Sequence, residues 1–93
     1  MPGIDALLVG TNDLAMELGI PGAFGDERIV AAYQAVIDAC RKHGKHAGVG
    51  GIAEDALLRK YIQMGVKLVL PGSDLAFLQM AAAERAATMR SFA

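Results

Sequence analysis

The chain has a single cysteine, Cys40, so no disulfide can form within it, and a reducing, cytoplasmic setting is expected. It has no excess of basic charge: nine Lys and Arg stand against ten Asp and Glu. No basic stripe interleaves with the three Phe and two Tyr, and tryptophan is absent, so nucleic acid is not expected as a partner. No apolar run approaches the ~20 residues that a membrane span needs. The opening Met1-Pro2-Gly3-Ile4-Asp5 carries neither a basic region nor a long apolar one, so neither a signal peptide nor a membrane anchor is expected. What remains is a core-forming composition, 54% hydrophobic and 20% charged, in 93 residues. That is enough for one domain over residues 1–93 and too little for two.

Apolar periodicity divides the chain into alternating elements. Residues 4–10 (IDALLVG) form a short, almost uninterrupted apolar run, the pattern of a parallel strand buried on both faces. Residues 12–18 read as a short helix, and GIPGAFG (residues 19–25) as a loop. Asp26 is suited to cap a helix over 27–43, where Ile29, Val30, Tyr33, Val36, Ile37 and Cys40 share one face. Arg41, Lys42 and His43 suit its C-terminal end, and Gly44 its termination. A strand over 46–50, a helix over 54–64 and a strand over 67–70 follow. In the helix over 54–64, Leu57, Leu58, Tyr61 and Ile62 are expected inward. Ser73 is placed to cap a last, alanine-rich helix over 74–90.

The order β-α-β-α-β-α with short links implies parallel strands and right-handed crossovers. LLVGTNDLA at residues 7–15 is echoed by LVLPGSDLA at 68–76, an offset of 61 residues from Asp13 to Asp74, or two βα units. A closed barrel of such units has eight strands and about 250 residues. The fold class is therefore α/β, best read as the C-terminal three βα units of a TIM (β/α)8 barrel. The alternative is a small open sheet completed by a second copy.

In such folds ligands sit at the C-terminal ends of the strands. Three glycine-bearing segments occupy that edge: residues 10–13, 48–52 and 71–74. Asp13 has two readings there: cap of the following helix, or ligand to a divalent cation that favours oxygen donors. Spacing favours the cap. The amides opening that helix form a site for a small carboxylate or phosphate. Glu17, four residues on, is aimed away by helix geometry. His43 and His46 fall at the opposite edge and read as surface or capping residues; Arg41, Lys42 and Lys45 read as a solvated helix end. Cys40, Met16, Met64, Met80 and Met89 read as packing.

GIDALLVGTNDLAMELGIPG (residues 3–22) resembles the sixth-strand signature of the HpcH/HpaI aldolase family. The similarity continues through FGDERIVAAYQAVIDACRKHGKHAGVGG (24–51) and YIQMGVKLVLPGSDLAFL (61–78), covering essentially the whole chain. The resemblance implies a class II, metal-dependent aldolase that cleaves 4-hydroxy-2-oxo acids to pyruvate and an aldehyde. It makes Asp13 a ligand of Mg²⁺, Mn²⁺ or Co²⁺, and places Gly10, Thr11, Asn12 and Asp13 at the substrate, with the Asn12 and Asp13 amides on the pyruvate carboxylate. The glutamate that completes the metal site, the arginine on the enolate oxygen and the histidine base come from earlier strands in the family, so no catalytic base is expected within this chain, and the chain alone is expected to be inactive. Family members form homo-oligomers in which the last helix is exchanged between subunits. A non-catalytic assembly module, or the remnant of a truncated aldolase, is the competing reading. The small residues at 76, 81, 82, 83, 86 and 87 would let the last helix pack closely on another.

Overall fold

The computed structural model describes residues 2–93. Its elements run β1 (Ala6–Gly10), α1 (Thr11–Glu17), α2 (Glu27–His43), β2 (His46–Gly50), α3 (Asp55–Met64), β3 (Leu68–Val69) and α4 (Asp74–Arg90). The three strands form one parallel sheet in the order β1-β2-β3. Ile4 and Asp5 lie outside β1, although the apolar run begins there. Only the Asp5 carbonyl reaches β2, accepting from the His46 N–H at 3.0 Å.

Register explains which face is filled. Val9, Val49 and Val69 pair across the sheet, as do Leu7 and Ala47. This face meets the helices: Ala47 and Val49 are buried with Ile29, Tyr33, Ile37 and Cys40 of α2 and Tyr61 of α3. The other face carries Leu8, Gly48 and Leu68 in register, with Gly10 beside Gly50. Leu8 lies across Gly48, where an added Cβ would come within 2.8 Å of the leucine Cδ1. Leu8 is 46% exposed, and on the helix-facing side Leu7 is 42% exposed and Val9 half-buried, so β1 is not buried on both faces as expected; its helix side packs only partly against the core. In a closed barrel this glycine-lined face points to the interior, where inward side chains of several strands fill the space.

The helix ends follow local chemistry. Asp26 accepts the Arg28 N–H at 2.9 Å and its Nε–H at 3.2 Å. The Arg28 side chain, then the Arg28 backbone N–H, holds the Asp26 carboxyl below its ordinary value. Gly44 closes α2 in the left-handed region at φ 68°, where a glycine avoids the Cβ penalty. Ser73 Oγ accepts the Ala76 N–H at 3.2 Å and opens α4.

Four packing expectations are corrected. Ile62 is 47% exposed, outside the inward face that Leu57, Leu58 and Tyr61 share. Met16, Met80 and Met89 are exposed as well, and only Met64 packs against the core. The reason for the last two is α4, in which no residue is buried. Leu75, Leu78 and Met80 lie open on it, and the molecule is drawn out to 58 × 28 × 21 Å.

Candidate functional site

The site region lies where β1 runs directly into α1. Gly10 precedes α1 as its cap residue, with no side-chain capping bond. Asp13 therefore does not cap this helix: it sits in the first turn with a carboxylate that pairs with no cation among the described residues. The side chain folds back over the strand end, with Oδ2 3.5 Å from where a Cβ on Gly10 would stand. Asp13 is exposed. A negative charge in the first turn is favoured by the helix dipole. By helix geometry the amides of Thr11, Asn12 and Asp13 have no acceptor inside α1.

Thr11 has a different position. It is fully buried, and its hydroxyl is committed to the interior. Thr11 Oγ1 lies 2.7 Å from the Gly50 carbonyl and 2.6 Å from the Tyr33 hydroxyl. A carbonyl can only accept, so the one Thr11 proton goes to Gly50 and Tyr33 must donate to Thr11. The resulting chain, Tyr33 to Thr11 to Gly50, ties α2, the start of α1 and the end of β2 together. Thr11, buried as a whole residue, therefore presents no hydroxyl to a ligand.

Asn12 is exposed and lies against the next strand end. Gly51 follows β2 at φ 82°, and an added Cβ there would come within 3.0 Å of Asn12 Nδ2. A side chain at 51 would meet both the strained backbone and the amide group of Asn12. Two glycine-bearing strand ends thus meet at Asn12. The third, at Pro71 to Asp74, carries the echo of Asp13, but there Asp74 Oδ1 accepts the Leu75 N–H at 2.8 Å. The repeated aspartate has an occupied carboxylate in one copy and an unpaired one in the other.

Sequence reasoning missed the part played by Tyr33, which it placed only on the apolar face of α2. Its ring is stacked on Tyr61 with centroids 4.0 Å apart, and the Tyr61 hydroxyl donates to the Phe24 carbonyl at 3.0 Å. Burial pushes both phenols above their ordinary values. A phenol on an inward helix face was the available signal, since a buried tyrosine needs a partner for its hydroxyl.

Mg²⁺-type cations are held by one or two carboxylates together with waters and ligand oxygens. One unpaired, exposed carboxylate at a strand mouth suits part of such a site. No group of three His, Cys, Asp or Glu converges among the described residues. His46 and Cys40 lie at the opposite edge, against the start of β2, and His43 lies beside Ile4, Leu7 and Lys45 at that same edge. No helix among the described residues is long and apolar enough to cross a membrane.

A parallel sheet of βα units with its acidic and glycine-bearing turns at the strand C-termini defines part of a (β/α) barrel. No family model matches the chain, but individual relatives do. It is 35% identical over 91 residues to 4-hydroxy-4-methyl-2-oxoglutarate aldolase tasA of Hapsidospora irregularis, covering 96% of this chain and 34% of that protein. It is 37% identical over 83 residues to the hydroxypyruvate/pyruvate aldolase of Chromohalobacter salexigens, covering 89% of this chain and 32% of the relative. The crystal structure of an HpcH/HpaI aldolase/citrate lyase family protein from Burkholderia cenocepacia J2315 superposes with a TM-score of 0.85 at 29% identity, over 96% of this chain and 34% of that one. The chain belongs to the HpcH/HpaI aldolase family, and it spans about a third of the length of the relatives it matches.

Proposed function

We propose that these residues supply the metal-binding aspartate and the carboxylate-binding amides of a class II aldolase that cleaves 4-hydroxy-2-oxo acids to pyruvate and an aldehyde. The carrying observation is the unpaired Asp13 carboxylate, turned over the end of β1 beside amides that α1 leaves free. In this reading Asp13 holds a divalent cation, Mg²⁺, Mn²⁺ or Co²⁺. When bound, the cation supplies Lewis-acid polarisation of the keto oxygen. The Asn12 and Asp13 N–H groups donate to the carboxylate of the 2-oxo acid and so fix its orientation. Gly10 keeps the backbone open to close approach, and the Thr11 brace holds the amides in place. The proton-transfer group and the cation that stabilises the enolate oxygen are assigned to residues outside this chain. Cys40, buried and unpaired, suits a reducing cytoplasm.

A pyruvate-forming cleavage assay with Mg²⁺, Mn²⁺ or Co²⁺ tests the reading. The 93 residues alone are expected to give no turnover above the metal-only background, because one carboxylate without a base cannot complete the reaction. A reading frame extending upstream of Met1 and supplying the remaining units is expected to give turnover that a chelator abolishes. Metal-dependent turnover by the 93 residues alone, or none in the extended protein, contradicts the assignment.

A second reading, assembly into a homo-oligomer through the last helix, is favoured by α4, whose Leu75, Phe77, Leu78 and Met80 are all more than half exposed. Large exposed apolar surfaces mark interaction sites. Light scattering over a range of concentrations is expected to give a mass above 9.7 kDa that rises with concentration. A constant monomer mass counts against it.

A further inference from the structure

At the edge of the sheet opposite Asp13, the C-terminal ends of α2 and α3 and the start of β2 border a solvent-open cavity of about 450 Å³. Arg41, Lys45, His46 and Lys67 line it, and no Asp or Glu does. None of the four forms an ion pair, since Arg28–Asp26 is the one ion pair among the described residues. Gly65 closes α3 at φ 129°, and its missing Cβ leaves room for Arg41, whose Nη2 stands 3.2 Å from where that atom would be. The guanidinium of α2 therefore reaches the end of α3, where its charge joins those of Lys45 and Lys67.

The ordinary explanation for cations here is that they offset helix dipoles. Each helix C-terminus presents about −0.5 of an elementary charge, so two ends present about −1. Arg41, Lys45 and Lys67 supply three formal positive charges around the same space. The dipoles account for about one of these and leave an excess of about two. Asp5, whose carbonyl accepts the His46 N–H, is the carboxylate nearest in connectivity, but it does not line the cavity. The excess is a local feature, because the whole chain carries a net charge of −1.

We propose that this cavity binds a phosphate dianion, either inorganic phosphate or the phosphate group of a small phosphomonoester. The charge matches, the volume lies within the range of small-ligand sites, and a guanidinium beside two ammonium groups is a recurrent way to hold phosphate.

The test is amide-resolved NMR of the 93-residue chain, titrated separately with inorganic phosphate and glycerol 3-phosphate at an ionic strength held constant with chloride. Saturable shifts centred on the amides of His46, Gly65 and Lys67 are expected. Binding of both probes identifies the phosphate group as sufficient; binding of the monoester alone points to a phosphorylated organic molecule. In Lys45→Gln/Lys67→Gln, with its fold checked by circular dichroism, the dissociation constant is expected to rise about tenfold, the effect of losing two exposed charge pairs. Linear, non-saturating shifts in the unmodified chain overturn the inference, as does binding that survives the double substitution.

Discussion

Changing Asp13 to asparagine is expected to weaken Mn²⁺ binding at the β1–α1 junction by at least about tenfold, with almost no change in stability. Asparagine keeps the shape of the side chain and one carbonyl acceptor but removes the negative charge, and hard divalent cations depend on charged oxygen ligands. Changes to outer-shell partners alone cost roughly 10–100-fold in affinity, so loss of a direct ligand sets a lower bound near that range. Folding should hardly respond, because Asp13 is exposed, forms no capping bond and pairs with no cation. Such surface changes usually lie within about 0.5 kcal/mol. The measurement is paramagnetic broadening of amide signals by Mn²⁺, which should centre on Gly10 to Leu14 and fade in Asp13→Asn. Asp74→Asn is the matched control. Its carboxylate already accepts the Leu75 N–H, so broadening near Asp13 should be unchanged. Equal broadening in the unmodified chain and in Asp13→Asn removes Asp13 as the ligand.

Much of the architecture was legible because it rests on local signals. Asp26, Gly44 and Ser73 marked helix ends by capping chemistry that acts within a few residues, and α2 and α4 run over the expected spans. Alternation of strands and helices was enough to imply a parallel sheet. The errors came where burial depends on partners distant in sequence. A short apolar run reads as a strand buried on both faces, yet only one face of β1 meets helices here, and Leu8 stays open. Likewise nothing in the sequence of α4 says whether its leucines and methionines face a core, a second copy or solvent. At the site, residue type and position along β1 and α1 were readable, but the division of labour between Thr11 and Asp13 was not. Both residues are polar and near one strand end. One is turned inward by bonds to residues 22 and 39 positions away, and the other outward by the absence of any.

Thr11→Val tests that division from the inside, with an expected loss of about 2–4 kcal/mol of stability. Valine fills almost the same volume, so packing changes little. Two buried polar groups lose their partner, the Tyr33 hydroxyl and the Gly50 carbonyl, and each unsatisfied group costs about 1–3 kcal/mol. Tyr33→Phe should cost only about 1 kcal/mol, because Thr11 can still donate to Gly50 and the ring stack with Tyr61 survives. The double variant should cost less than the sum of the two, since phenylalanine leaves no hydroxyl to be orphaned by valine. Urea unfolding with an unchanged denaturant slope reads these differences directly. The same substitution should loosen the ligand end of the sheet, because Gly50 leads into Gly51 and Gly51 backs the Asn12 side chain. Amide exchange at Asn12, Asp13 and Gly51 should therefore quicken in Thr11→Val more than in Tyr33→Phe. If Thr11→Val is as stable as the unmodified chain, the hydroxyl does not bind the strand ends together, and the amides beside Asp13 are not held in place by it.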